Sequence, residues 1–375
     1  MVLTVYILSI TYALFIFWCI AGWLRLPEVS TGSATVVTNL FVSVIIPARN
    51  EEENIIDCLE DFLSQNFSKE SFEIIVINDH STDGTAALVR EFIETHPGIK
   101  TRIIELALGE EKLYKKHAIT KGIDAASGTL IITTDADCRR GPKWLSTLAG
   151  YYLHNRPELM SAPVILEDEQ TWVEKIQSLE FLGLVAIGAA GIRNKMPMLC
   201  NGANLAFPKS IFYEVNGYLS ENNTATGDDT QLLMKIIPRG KKNIHFVKSH
   251  DAIVSTKAKR TIGELLRQRQ RWASKIPFHM NAFTLCIAAV AFFLHVGLIF
   301  VAAEAFITGN AAHLIFPLLI KMIPEFIFLS IVCRFARKSN LLYLFLPAQI
   351  IYPIYISFVG VTSMFGTHQW KGRTQ

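Results

Sequence analysis

Hydrophobic residues are distributed along this chain in two ways. At the ends they form long blocks. Residues 2 to 24, VLTVYILSITYALFIFWCIAGWL, carry no charge. At about 1.5 Å per helical residue they are long enough to cross a hydrocarbon layer of about 30 Å. Three more blocks follow residue 280, at roughly 281–303, 311–333 and 341–365. Lys321, Pro324 and Glu325 interrupt the second, and Pro347 and Pro353 the third, so full spans and re-entrant segments both fit the pattern. Lys321 and Glu325 stand four apart, a spacing that lets the two charges neutralise each other away from lipid.

Between the ends, from 40 to 258, apolar residues come in short runs. FVSVIIP, FEIIVIND, TRIIELA and TLIITTD read as strands. Helical patterns separate them, from Glu51 towards Phe62, from Thr85 towards Ile93, and through Ala118 and Ala125. This alternation predicts an α/β domain with a parallel, doubly wound sheet, where ligands collect at the carboxyl ends of the strands. Polar sequences occur there: ARNEEEN after the first run, NDHSTDGT after the second and DADC after the fourth. Residues 171–198, TWVEKIQSLEFLGLVAIGAAGIRNKMPM, add a very apolar or amphipathic helix for which core burial and lipid contact are both open. The expected organisation is a transmembrane helix at 1–25, a catalytic domain at 40–258, an interfacial helix at 259–280 and about three membrane helices at 281–366.

Composition agrees with a membrane protein. Half the residues are apolar, and the mean hydropathy of +0.30 is high for a soluble chain. Basic residues set the orientation. Arg25 follows the first span, eleven Lys and Arg against two acids crowd residues 239–275, and RFARKSN separates the last two spans. All three lie on one side if the amino terminus is outside and the catalytic region cytoplasmic. The basic tail THQWKGRTQ would then lie outside, against the trend. A cleaved signal peptide is the alternative for the first block, which lacks both a basic leader and a small-residue cleavage site. The six cysteines show no close pair and no metal-ligand spacing, consistent with a reduced cytosolic domain without structural zinc. Nucleic acid is not among the expected partners.

Candidate chemistry concentrates in acidic side chains. Asp135 and Asp137 flank Ala136 just past a strand end, where two carboxylates can meet on one divalent cation; a solvated acidic turn is the alternative. Asp79 ends the second strand run and can accept from a nucleobase N–H, while Ser81, Thr82 or Asp83 can cap the following helix. Lys115, Lys116 and His117 read as a solvated basic face. Asp228 and Asp229 open a helix at TGDDTQLL, where the helix dipole alone would favour them. In TIGELLRQRQRWASK, residues Ile262, Leu265, Leu266 and Arg269 fall near one side of a helix. Gln268, Arg271 and Trp272, at i, i+3 and i+4, can face a common site. The same helix can also serve as an anchor on anionic lipid, and the two roles are compatible.

Six strings in order resemble the inverting nucleotide-sugar glycosyltransferases of family 2, which have a GT-A fold. They are VSVIIPARNEEENI, EIIVINDHSTDGT, KKHAITKGIDAASGTLIITTDADC, LCNGANLAFPKSIFYEVNGY, TGDDTQLLMKI and QRQRW, covering roughly residues 42–272. The resemblance implies that Pro47, Ala48, Arg49 and Glu51 border the nucleotide pocket, that Asp79 contacts the base, and that Asp135 and Asp137 hold Mg²⁺ or Mn²⁺ against the donor diphosphate. It places Asp229 as the general base with Asp228 before it. Asn201, Gly202, Gln268 and Trp272 fall near the acceptor, and Arg271 near the diphosphate. Where the family often has Ala-Leu-Asn, this chain has Ala118, Ile119 and Thr120, so no donor contact is assigned there.

The expected function is transfer of sugar from a nucleotide donor, a UDP-sugar in the first instance, to a lipid or lipid-linked acceptor at the cytoplasmic leaflet. A processive polysaccharide synthase is the alternative, with an oligomer or export partner completing a channel that about three carboxyl-terminal helices would leave meagre. A non-catalytic membrane scaffold is the third reading.

Overall fold

The computed structural model describes residues 1–29, 40–107, 114–218, 228–239, 243–274, 281–363, 369–370 and 373–374. From the amino end the elements run α1 (Val2–Arg25), β1 (Val42–Ala48), α2 (Ile55–Glu60), β2 (Phe72–Asn78), α3 (Thr85–Thr95), β3 (Thr101–Glu105), α4 (Tyr114–Ala125) and β4 (Leu130–Thr133). There follow β5 (Arg139–Arg140), α5 (Trp144–Asn155), β6 (Leu159–Ser161), β7 (Val164–Glu167), α6 (Trp172–Arg193), β8 (Leu205–Pro208), α7 (Lys209–Glu214), α8 (Asp228–Ile236), β9 (Ile244–Phe246) and β10 (Val254–Lys257). The last helices are α9 (Ile262–Ala273), α10 (Ala282–Thr308), α11 (Ala312–Phe335) and α12 (Phe345–Ser363). These elements form two compact units, one of residues 1–25, 168–191 and 258–375, the other of 26–167 and 192–257.

The second unit is built on a seven-stranded sheet in the order β3-β2-β1-β4-β8-β6-β9. The β3-β2-β1-β4 half is parallel, as the strand–helix alternation predicts. Its inner strands β1, β2 and β4 are buried on both faces, which explains why VSVIIPA and FEIIVIN are nearly continuous apolar runs and do not alternate, while β3 at the edge is partly exposed. Beyond β4 the sheet becomes mixed, because β8 runs antiparallel to both β4 and β6. A small sheet, β5-β10-β7, accompanies it. Two glycines permit close packing. A Cβ on Gly122 of α4 would lie 2.7 Å from the side chains of both Ile45 and Ile77, and one on Gly128 would lie 2.5 Å from the backbone N of Ser43. Either clash would push α4 or the β4 approach off the sheet.

The strand order fixes where chemistry can occur. The chain leaves β1 towards β2 and β3 on one side, then returns to β4 on the other, so the crevice at the carboxyl ends of β1 and β4 is a topological switch point. Ala48 pairs with Asn78, and Ile45 with Thr133. Arg49, Asp79 and Asp135 therefore leave neighbouring strands at the same edge.

The first unit is helical. Among the described residues five helices are long and apolar enough to cross a membrane: Val2–Arg25, Trp172–Arg193, Ala282–Thr308, Ala312–Phe335 and the stretch Ser339–Ser363. Val5 of α1 packs with Leu294, Leu298 and Val301 of α10, and Trp23 meets Phe335 edge-on at 5.4 Å. Gly297 admits Val5, whose Cγ2 would be 2.7 Å from an added Cβ.

Residues 168–191 fall within the 40–258 boundaries expected from the sequence, yet they pack in this helical unit. Lys338 binds Glu169 at 2.6 Å, and Leu329 lies against Gly183. The most apolar window of α6 is 61% buried inside the protein, against 22–33% for the other four helices. Of the two environments open for α6 from sequence, protein contact dominates.

Lys321 and Glu325 are joined as their spacing predicts, Nζ to Oε2 at 2.7 Å, with Lys321 only 2% exposed. The sequence did not reveal the rest of the cluster. Gln349 accepts from Lys321 at 2.7 Å and donates to Glu325 at 3.1 Å, while the Tyr12 hydroxyl donates to Glu325 Oε1 at 2.6 Å. Both Lys321 and Glu325 are thus hydrogen-bonded to protein, the condition under which charge is tolerated in an apolar setting.

Candidate functional site

At the end of β1 the chain turns sharply, with Asn50 in the left-handed region at φ 51°. The turn is laced to the β2–α3 loop. Asn50 N donates to Ser81 Oγ at 3.0 Å, Thr82 N to Asn50 Oδ1 at 2.8 Å, Glu51 N to Thr85 Oγ1 at 2.8 Å and Gly84 N to Glu52 Oε2 at 2.7 Å. Pro47 and Ala48 are the last residues of β1, and Glu51 also accepts from Asn54 at 3.0 Å. Arg49 donates through Nη1 to the carbonyls of Asp79 at 2.8 Å and His80 at 3.3 Å. Two of the three polar loops expected at the sheet edge therefore form one rigid surface.

Asp79 is buried, its side chain 3% exposed, and its Oδ1 meets His80 Nδ1 at 2.9 Å. His80, at φ 55°, reaches the Ala107 carbonyl with its other ring nitrogen at 3.0 Å. Asp83 has a different environment. Burial would raise its pKa, but hydrogen bonds from the Thr85 hydroxyl and from the backbone of Thr85 and Glu52 outweigh that and hold it below the ordinary carboxylate value. This is the capping role open to Asp83 from the sequence.

Asp135 and Asp137 stand in the turn that follows β4, and Cys138 N closes that turn onto the Asp135 carbonyl at 3.2 Å. Lys115, in the stretch read from sequence as a solvated basic face, instead binds Asp135 Oδ1 at 2.6 Å. Burial pushes the neighbouring Cys58 and Cys138 thiols up, so both stay protonated near neutrality. Among the described residues no three His, Cys, Asp or Glu side chains converge as a metal cage. Two carboxylates in one turn, with an ammonium already against one of them, nonetheless suit a hard cation. Mg²⁺ is ordinarily held by one or two carboxylates with substrate phosphates and water completing the shell. The donor set fits Mg²⁺ or Mn²⁺ on that basis.

The turn is locked from behind by two arginines for which the sequence suggested no role. Arg139 makes a two-pronged bond to Asp61, at 3.0 and 2.7 Å, and reaches Asp57 at 3.1 Å. Arg140 is 6% exposed and donates to the carbonyls of Cys58 and Cys138, both at 2.9 Å. Its guanidinium carbon lies 4.4 Å from the Phe62 ring centre and 5.3 Å from that of Trp144. Asp57 and Asp61, four apart in sequence, both bind Arg139, and nothing local in the sequence marks them as its partners.

Asp229 lies in the first turn of α8. Its Oδ2 accepts from Gly202 N at 3.1 Å and its Oδ1 from Thr230 N at 2.7 Å. The Gly202 carbonyl in turn accepts from Thr133 Oγ1 at 2.7 Å, and Asn201 caps the same short turn by accepting from Ala203 N at 3.0 Å. The backbone of one glycine residue thus links the last residue of β4, two positions before Asp135, to the Asp229 carboxylate. Asn204 holds the turn in place, accepting from Trp144 Nε1 at 3.1 Å and donating to the carbonyls of Pro163 and Ala252 at 2.8 Å. The structure therefore brings together Pro47, Ala48, Arg49, Glu51, Asp79, Asp135, Asp137, Asn201, Gly202 and Asp229 in one unit. Asp228 opens α8, but its side chain lies outside the described residues. Gln268, Arg271 and Trp272 belong to the helical unit, on α9, which begins with a capping box between Thr261 and Glu264.

The glycosyl transferase family 2 model matches residues 43–213, and the glycosyl transferase family group 2 model matches residues 130–357. The probable glycosyltransferase YdaM of Bacillus subtilis is 30% identical over 62% of this chain and 54% of its own length. The dolichyl-phosphate beta-glucosyltransferase of Dictyostelium discoideum is 36% identical over 27% of this chain and 32% of its own. The chain thus spans about a third to a half of the relatives it matches. The mannosyltransferase PcManGT from Pyrobaculum calidifontis, solved with GDP-Man and Mn²⁺, superposes with a TM-score of 0.58 at 17% identity, covering 96% of this chain and 99% of that one, which establishes a shared GT-A fold. With family models matching from β1 into the last helix, this chain belongs to the family 2 glycosyltransferases.

Proposed function

We propose that this protein transfers a sugar from a nucleotide-sugar donor to a lipid or lipid-linked acceptor, a polyprenyl phosphate or a derivative of one, at the cytoplasmic leaflet. The observation that carries this reading is the hydrogen-bonded path from Thr133 through Gly202 to Asp229, which ties the acidic strand end to a second carboxylate. The dolichyl-phosphate relative supports the acceptor class. Five apolar helices in the same chain suit an enzyme that meets its acceptor in a membrane.

In this mechanism the rigid surface of Arg49, Glu51 and Asp79 receives the nucleoside. Asp135 and Asp137 would hold Mg²⁺ or Mn²⁺, which when bound would offset charge on the departing diphosphate. Asp229 accepts the proton of the acceptor hydroxyl or phosphate, on the face of the sugar opposite the leaving group, so the anomeric configuration inverts. Its carboxylate is oriented by Gly202 N on Oδ2 and by the Thr230 N and hydroxyl on Oδ1, at 3.1, 2.7 and 3.3 Å. Gln268 and Trp272 offer the acceptor a polar group and a flat apolar face, and Arg271 offers the diphosphate a cation.

The test is a transfer assay with the full chain in vesicles containing undecaprenyl phosphate. UDP- and GDP-sugars are supplied with Mn²⁺ and products are identified by mass. The wild type should yield a sugar-linked prenyl lipid, and Asp229→Asn should lose about 10²-fold in rate or more, in keeping with general-base catalysis. Wild-type turnover by Asp229→Asn would remove it from the mechanism. Long glycan chains in place of a single addition would favour the processive synthase.

A further inference from the structure

Outside the sheet-edge site, a second buried charged pair of the helical unit involves the QRQRW sequence. Arg269 of α9 is 5% exposed. Its Nε and Nη2 donate to Glu180 Oε2 of α6 at 3.1 and 2.8 Å. The other carboxylate oxygen of Glu180 accepts from the Tyr355 hydroxyl of α12 at 3.2 Å. The remaining faces of the guanidinium point to two neighbours on its own helix. Nη1 donates to Gln268 Oε1 at 2.7 Å, and the guanidinium carbon sits 4.3 Å from the Trp272 ring centre. Phe181, next to Glu180, meets the same indole at 6.1 Å.

We propose that Glu180 and Arg269 are positioning residues that set the Trp272 ring and the Gln268 amide in their acceptor-facing orientation. This deepens the reading above and rests on Gln268 and Trp272 contacting the acceptor. The physical argument starts from cost. A buried ion pair is a poor source of stability, since well-packed apolar residues of similar size usually do as well or better. Glu180 interrupts an apolar helical sequence, LEFLGLVAIGAA, where a leucine would bury without penalty. What an apolar pair cannot supply is direction. The planar fork of arginine presents donors along its edge and a cationic face, and here Nε, Nη1 and Nη2 all donate while one face meets the Trp272 indole. Glu180, held by Tyr355, fixes the plane of the fork. That plane fixes the indole, and the Nη1 bond fixes the carboxamide. With Oε1 committed to Arg269, the amide N–H donors are what Gln268 has left to offer a ligand. Lysine at position 269 would keep the charge but lose the plane.

The experiment uses the full chain labelled with 5-fluorotryptophan in lipid nanodiscs. Six ¹⁹F signals arise from the six tryptophans, and Trp272→Phe assigns one of them. Glu180→Gln and Arg269→Lys should shift and broaden the Trp272 signal alone. In transfer to undecaprenyl phosphate from UDP-glucose, UDP-N-acetylglucosamine or GDP-mannose, both variants should raise the acceptor KM by about 10-fold while kcat changes less than about 3-fold, the pattern of lost binding without lost chemistry. A Trp272 signal that stays in place in both variants overturns the inference. So does movement of all six signals together with a fall in melting temperature, which marks a purely structural pair. Wild-type transfer by Trp272→Phe would instead overturn the acceptor role of Trp272, and the ¹⁹F result would still report whether Glu180 and Arg269 orient the ring.

Discussion

Arg140→Lys isolates the geometry of a buried cation from its charge. Arginine and lysine both bring one positive charge to this site, and the ammonium, being the more strongly hydrated, costs more to bury, so losses reckoned from the contacts alone are a lower bound. What changes is the reach of the donors. The guanidinium satisfies the Cys58 and Cys138 carbonyls simultaneously at 2.9 Å and lies over the Phe62 ring at 4.4 Å. A single ammonium can serve one of those carbonyls, and the other is left buried without a donor, at about 1–3 kcal/mol. Loss of the flat cation–aromatic contact adds about 0.5–1 kcal/mol. The sum, about 2–4 kcal/mol, corresponds to a melting temperature lower by about 5–15 °C for a unit of this size. Scanning fluorimetry of the purified full chain in detergent reads that directly. A melting temperature within about 2 °C of wild type would refute the role assigned to the arginine fork, because one unsatisfied carbonyl alone should exceed that.

Two further outcomes follow from the same kind of reasoning. Lys321→Met strands Glu325 among apolar helices and should destabilise the helical unit by about 3–5 kcal/mol, whereas Lys321→Met with Glu325→Gln should recover most of it by leaving no unpaired charge; equal melting temperatures for the single and double variants would contradict this. Asp83 has a folded pKa below its ordinary 3.8, so its contribution is complete above that value and disappears as the pH falls through the lower folded pKa. Asp83→Asn should therefore flatten the acid limb of the stability curve below about pH 4, and identical acid limbs would show that the Thr85 and Glu52 hydrogen bonds contribute nothing.

The parts of this protein legible in the sequence are those governed by short-range periodicity. Apolar runs announced β1, β2 and β4 because a parallel strand buried on both faces needs them, strand-forming residues announced β3 at the sheet edge, and the polar residues at the carboxyl ends marked the candidate site. The strand TLIITTD came out shorter than its apolar run: Thr134 N still donates to the Ile45 carbonyl at 3.2 Å, and from Asp135 the chain enters the turn carrying the acids. Lys321 and Glu325 were readable because their relation is four residues on one helix. The antiparallel half of the sheet was not, because β6, β8 and β9 are three or four residues long, too short for a period of two to show. Long-range partners were equally hidden. Arg139 finds Asp61 across 78 positions, and Arg269 finds Glu180 across 89. Nothing local in either sequence distinguishes such an arginine from one in solvent. The neighbours of α6 belong to the same class, since Glu180 makes sense only beside Arg269 and Tyr355.

The central claim is that Asp135 and Asp137 hold a divalent ion for a nucleoside diphosphate. Electron paramagnetic resonance titration of Mn²⁺ into the full chain, with and without UDP or GDP, tests it most directly. The account predicts a site that tightens when the nucleotide is present and is lost in Asp137→Ala while the fold is retained. Mn²⁺ binding of unchanged affinity in Asp137→Ala, with the same response to nucleotide, would contradict it.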